Sequence, residues 1–310
     1  MKRCLLAAVL CACGSSPPGG SPDADGPADA TIDAAVDAGP GTPVTCAVPA
    51  NTPAEAIAFA SPETIFYTYT TTAPDTRWIG RQDGAVSRPT WFDAGVTIIG
   101  KMVAIDRTLY YTDTSGRVYA VDLDATTPSK DLIFSPSHAD ENTRYGLFAD
   151  TAGNLYALDG YSGQERIFRR AGTTWSEVTT SPFTAGPIGA IVMSPAGDLL
   201  VLTEFSDQLW RISLDGGKET ARAQLTTVKG ASGLDFGLAL DETGALYALS
   251  AGTRALTRLA PPTFTETNAA MLPGYEQGMA FGRGCWGSHD LYVAAGTSIV
   301  AIDVGASGTP

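Results

Sequence analysis

Glu242 to Leu259 reads ETGALYALSAGTRALTRL: a Gly-containing turn, a short apolar run, a polar loop and a second short run ending at Leu259. Runs of this length bounded by turn residues read as strands joined into hairpins. Nearly the same text recurs as TAGNLYALDGYSGQERIFRR from Thr151 and as PAGDLLVLTEFSDQLWRISLDGG from Pro195. Aligned on this strand, the chain repeats at Ile65, Leu109, Leu155, Leu199, Leu246 and Leu291, in steps of 44, 46, 44, 47 and 45 residues. A β-rich unit with a period near 45 is the signature of a propeller blade.

Each unit divides into four strands. An inner strand comes first (AIAFA, MVAID, GLFAD, AIVMS, GLALD, GMAFG), and a turn leads to the aligned second strand. The third (WIGRQDG, VYAVDLD, IFRRAG, LWRISLDGG, LTRLAPP, IVAIDVG) alternates apolar and polar residues, as a half-buried strand does. A ragged fourth, such as LIFSP or AQLTT, would form the outer edge. The expected fold is therefore all-β, a six-bladed β-propeller with four-stranded blades. A two-sheet sandwich would not repeat so evenly six times.

The sixth unit stops near Val304 after its third strand, and the remaining GASGTP reads as flexible. Its fourth strand is expected from the N-terminal side, where Thr45 to Pro49 is available to close the ring. Cys46 in that stretch and Cys285 in the sixth unit are the only cysteines beyond Cys13. In an exported chain they are expected to form a disulfide across the closure, worth about 4–5 kcal/mol before strain; two buried thiols are the alternative.

Export is indicated by MKRCLLAAVLCACGSS, a basic start followed by an apolar run too short to span a bilayer as a helix. Its end, Leu10-Cys11-Ala12-Cys13-Gly14, resembles a bacterial lipobox, which implies a signal peptide over residues 1–12 and lipidation of Cys13. An ordinary signal peptide that contains cysteines remains open. Gly rather than Asp follows Cys13, so the outer membrane is the expected address. Residues 13–44 are rich in Pro, Gly, Ala and Asp and read as a disordered tether. Such a coil would span roughly 30 Å, with the propeller occupying residues 45–310.

Of 310 residues, 20 are Lys or Arg and 33 are Asp or Glu, a formal charge of −13. That balance argues against nucleic acid and against docking on anionic lipid, so membrane contact is expected only through the N-terminal lipid. Two histidines, His138 and His289, leave little room for a His-rich metal centre or a Ser-His-Asp triad. No GxSxG elbow or P-loop occurs, and no Cys-x-x-Cys occurs outside the signal. The acidic pairs Asp140-Glu141 and Asp241-Glu242 sit in turn-like contexts and read as solvated loops.

The grammar of GLALDETGALYALSAGTRALTRL resembles the NHL and gluconolactonase/regucalcin-like six-bladed propellers over residues 50–304. The resemblance implies one divalent metal at the channel mouth, held by Glu, Asn and Asp just before the Gly-aliphatic pairs of different inner strands. The matching positions here are Glu55, Lys101, Tyr145, Gly189, Phe236 and Gln277. Glu55 fits the first-blade glutamate. Gly189 stands where Asn is expected, and Phe236 stands where Asp is expected, with Asp235 one residue away. A one-residue slip turns a strand side chain to the other face unless a bulge restores it. Glu55 could equally pair with Lys101.

No catalytic residue, metal set or cofactor is therefore assigned from the sequence. The candidate surface is the ring mouth: Glu55, Lys101, Arg144, Tyr145, Asp235, Glu276 and Gln277. Its mixed charges and aromatic ring suit an as yet unknown protein partner or a small polar ligand. The alternative is a divergent metal-dependent lactonase-like hydrolase using Glu55.

Overall fold

The computed structural model describes residues 43–45, 54, 56–61, 63–72, 75–83, 86–96, 99–137, 146–160, 163–204, 206–228, 237–250, 254–272, 276–295 and 298–308. Six four-stranded antiparallel sheets account for the named strands. Blade one is β2 (Ile57–Ser61), β3 (Thr64–Thr72), β4 (Asp75–Asp83) and β5 (Val86–Asp93). Blade two is β6 (Ile99–Ile105), β7 (Thr108–Asp113), β8 (Val118–Asp122) and β9 (Lys130–Phe134). Blade three is β10 (Leu147–Ala149), β11 (Leu155–Asp159), β12 (Arg166–Ala171) and β13 (Thr174–Glu177). Blade four is β14 (Ile188–Met193), β15 (Leu199–Thr203), β16 (Gln208–Asp215) and β17 (Lys218–Thr227). Blade five is β18 (Leu238–Leu240), β19 (Leu246–Ser250), β20 (Ala255–Ala260) and β21 (Thr265–Met271).

Blade six takes β22 (Glu276–Phe281), β23 (Asp290–Ala295) and β24 (Ser298–Asp303) from the C-terminal side and β1 (Pro43–Thr45) from the N-terminal side. The closing strand pairs Pro43 with Ile302, Val44 with Ala301 and Thr45 with Val300. It lies two residues earlier than the Thr45–Pro49 stretch read from the sequence. An outer edge tolerates Pro43, because a proline there forfeits no interior ladder bond.

The core is distributed between blades, since a single sheet cannot bury both its faces. Buried clusters fill the six seams between neighbouring blades. At the closing seam Phe59 of blade one meets Trp286 and Tyr292 of blade six edge-on, at centroid distances of 6.1 and 5.2 Å. The Tyr292 hydroxyl donates to the Trp286 carbonyl at 2.5 Å, which orients the pair.

Two expectations about loops are corrected. Asp241 is fully buried rather than solvated, because its carboxylate organises the turn it begins. Its Oδ1 accepts from Thr243 N at 2.9 Å, Thr243 Oγ1 at 2.6 Å and Ala245 N at 2.9 Å. Asp150 does the same for Ala152 and Asn154, and Asp113 for Ser115 and Arg117. The C-terminal GASGTP is not free along its described part. Glu242 N donates to Ser307 O at 2.8 Å, and Gly308 forms an isolated bridge to Asp241. Glycine is required at 308, since a Cβ would come within 2.1 Å of the Phe281 ring.

Candidate functional site

The six inner strands run in one direction around a central channel whose cavity measures about 610 Å³. That volume lies within the roughly 300–1,000 Å³ typical of small-molecule sites. Because inner-strand side chains pack sideways into the seams, much of the channel wall is strand edge with small or apolar side chains. The N-terminal ends of the strands, at Ala56, Lys101, Gly146, Gly189, Gly237 and Gly278, define one mouth. The C-terminal ends, at Asp106, Asp150, Ser194 and Arg283, define the other.

The first mouth is the one expected to carry function, and Lys101 lines it. Its backbone is held from the second strand, with Lys101 N donating to Thr112 Oγ1 at 3.0 Å. Blade one repeats the device, with Ala56 N donating to Thr68 Oγ1 at 3.2 Å. Glycine at the rim has a steric cause in blade three, where a Cβ at Gly146 would lie 2.4 Å from Leu158 Cδ1.

Three inner strands are irregular at this mouth. In β6 the register shifts between Ile99 and Met102, in β14 between Ile188 and Ala190, and in β22 between Glu276 and Met279. Each shift inserts one extra residue relative to the second strand, so each is a β-bulge. The shifted segments are Gly100–Lys101, Gly189 and Gln277–Gly278, so they take in three of the six positions singled out in the sequence. Bulges re-aim side chains and concentrate next to functional sites. They could not be read from the repeat, because a single extra residue at a strand end disappears into loop-length variation.

Glu276 and Gln277 begin β22 at the same mouth. Glu55, Arg144, Tyr145 and Asp235 lie outside the described residues, as do Cys13 and Cys46. Cys285 is exposed in the short 3-10 helix Gly284–Trp286, where partial desolvation of the thiol and the Glu63 charge raise its pKa. On this face Ser137 N and Oγ donate to the two oxygens of Asp159 at 2.9 and 2.8 Å. Ser137 immediately precedes the segment that carries Arg144 and Tyr145.

Sequence reading missed the buried acids on this face. Asp113, Asp159 and Glu204 end or follow second strands, Glu165 directly precedes the third strand β12, and all four are buried. Glu204 N donates to Pro187 O at 2.7 Å, which ties it beside the blade-four bulge. The signal was present in TEFSDQ, where an acid directly follows an apolar strand. These groups do not converge: among the described residues no three His, Cys, Asp or Glu side chains are placed to hold a metal. The metal set implied by the resemblance does not fit the described ring either. Gly189 has no side chain to offer, and Lys101 brings a cation to the same mouth from blade two.

No family model and no curated protein matches the chain. Among solved structures it is similar to a luciferin-regenerating enzyme (TM-score 0.64, 12% identity, 87% of this chain and 97% of that one). It is similar also to a gluconolactonase from Xanthomonas campestris (TM-score 0.60, 13% identity, 88% and 99%). A third is the calcium-binding protein regucalcin from Agrobacterium tumefaciens (TM-score 0.59, 15% identity, 84% and 92%). At these identities the likeness is one of fold. The chain is a six-bladed β-propeller whose structural neighbours are gluconolactonase- and regucalcin-like. A fold shared at this level leaves the chemistry to the site.

Proposed function

We propose that the chain is a binding propeller, held to a bacterial outer membrane by lipid on Cys13, that takes a small polar ligand or a segment of a protein partner at the Lys101 mouth without catalysing a reaction. The observation that carries the binding part is the coincidence of three inner-strand bulges with Lys101, Gly189 and Gln277 around one open channel end. Bulges re-aim side chains and are over-represented next to binding and active sites, and three of them lie at this one mouth. Lys101 supplies a cation, and Gly146, Gly189 and Gly237 leave room. The membrane part is supported by the lipobox-like Leu10–Gly14 and the composition of residues 13–44.

The test is a binding screen of polar metabolites and periplasmic extract fractions against the full chain and Lys101→Ala. A ligand whose affinity falls at least tenfold in the variant supports the reading. Ligands that bind both proteins equally, with no dependence on the mouth, would overturn it.

A second reading, a divergent metal-dependent lactonase-like hydrolase, draws on the fold shared with gluconolactonase and on Glu55, which directly precedes Ala56 in the channel wall. It requires ligands other than Gly189. One equivalent of divalent metal retained through dialysis and lost in Glu55→Ala would favour it over binding alone.

A further inference from the structure

The opposite mouth carries a cation that the blade repeat does not call for. In blades two, three and five the last inner-strand position is an acid, Asp106, Asp150 or Asp241; in blade six it is Gly282, and Arg283 follows. The turn that holds Arg283 is tight. Gly282 N donates to Asp290 O at 2.8 Å, and Trp286 N donates to the Arg283 carbonyl at 3.1 Å. A Cβ at Gly282 would lie 2.5 Å from both the Trp286 and Gly287 carbonyl oxygens. The Arg283 side chain therefore lines the channel from a rigid base.

It is half-buried there and, among the described residues, has no hydrogen-bond or ion-pair partner. Burial alone lowers its pKa, with no opposing charge to restore it. A guanidinium stays charged under such pressure, and a partly buried charge without a partner is destabilising. The acids across the mouth do not neutralise it. Asp150 is consumed by Ala152 N, Asn154 N, Asn154 Nδ2 and the Tyr156 hydroxyl, at 3.0, 2.8, 2.7 and 3.1 Å. Asp106 is exposed and pairs with nothing described. Ser194 Oγ accepts from Asp198 N at 3.2 Å, which leaves its own proton available to a ligand.

We infer that the Arg283 mouth is a second binding site, which receives the carboxylate of a small monoanion whose apolar body lies in the channel. The planar fork of the guanidinium matches a carboxylate. Ile105, Met193 and Phe281, at the same channel end, provide the apolar wall. Asp150, on the blade opposite Arg283, and Asp106, on the blade before that one, disfavour a second negative charge. This site is independent of the reading given to the Lys101 mouth.

The test is calorimetric titration of the full chain with hexanoate, its neutral analogue hexanamide, and inorganic phosphate. Hexanoate is expected to bind at least about tenfold more tightly than hexanamide, with phosphate weaker than hexanoate. Arg283→Gln should abolish the gap between hexanoate and hexanamide, and Lys101→Ala should leave it. Equal binding of acid and amide, or a gap that survives Arg283→Gln, overturns the inference. Should Arg283→Gln fail to fold, Arg283→Lys keeps the charge and loses the fork; an unchanged hexanoate affinity in that variant would count equally against the site. A thermal midpoint in Arg283→Gln at or above that of the parent is also expected, because the arginine is unpaired without its ligand.

Discussion

Asp241 and Tyr247 share one carboxylate: the tyrosine hydroxyl donates to Asp241 Oδ2 at 3.3 Å, while the other oxygen caps the turn between them. Asp150 and Tyr156 repeat the relationship at 3.1 Å, and Asp113 and Tyr119 repeat it at 3.1 Å on the opposite face of the ring. The six-residue spacing is the Asp-x-x-Gly-x-apolar-Tyr phrase itself, so this part of the repeat encodes a hydrogen-bond network. In blade four Ser194 and Leu200 replace both partners together. Burial, partly offset by Arg258, raises the Tyr247 pKa, so the phenol remains a donor.

Asp241→Ala strands the buried Ala245 amide and Tyr247 hydroxyl and frees the part-buried Thr243 amide. A loss of about 3 kcal/mol is expected by urea unfolding. Ser194→Ala, which removes a single acceptor from Asp198 N, should cost about 1 kcal/mol or less. Equal losses for the two would show that the carboxylate network adds nothing.

Ring closure rests on three residues of β1 and on an aromatic seam. Deleting the chain through Thr45 should expose the β24 edge, lower the thermal midpoint and promote association through that edge. Phe59→Ala, which empties the contact with Trp286 and Tyr292, should cost about 3–5 kcal/mol. Light scattering separates the two, since the edge is exposed only in the deletion.

Two acids should act oppositely on acid stability. Burial of Glu219 favours its protonated form, but Arg222 at 2.5 and 2.7 Å and the Thr180 amide at 2.8 Å outweigh it and lower the pKa. Its contribution is present above the ordinary carboxylate range and is lost as pH falls through the lowered value. Asp290 is raised by burial and by Asp303, with His289 acting in the other sense. The folded state holds that proton more tightly, so stability falls as pH rises from the ordinary value through the raised one. Urea midpoints between about pH 3 and 7 should show a shallower rise with pH in Glu219→Gln, and Asp290→Asn at least as stable as the parent at neutral pH.

Cys13→Ser should move the chain from the membrane fraction to the soluble periplasmic fraction. Persistent membrane association of that variant would exclude lipid on Cys13 as the anchor.

The six blades were legible because each repeats an apolar strand whose aligned residues, Ile65, Leu109, Leu155, Leu199, Leu246 and Leu291, are all buried in seams. The closing strand was placed two residues late, since Pro43 argues against a strand until the position is known to be an outer edge. The tail was misread because Gly, Ser and Pro signal flexibility by composition, whereas Gly308 is held by its close fit against Phe281. Lys101 was legible from the repeat position and Arg283 was not. Arg283 stands where blade six abandons the turn phrase, and a departure from a repeat does not announce its own role.

Strand direction gives the ring an orientation. β24 ends beside the Arg283 mouth, and β1, antiparallel to it, begins there, so the chain enters the propeller and leaves it on one face. A lipid anchor upstream of Pro43 would pull on that face alone. The Arg283 opening would then look back toward the bilayer within the reach of the leash, and the Lys101 opening would face outward. A molecule arriving from solution and one arriving from the membrane would meet different ends of the same channel.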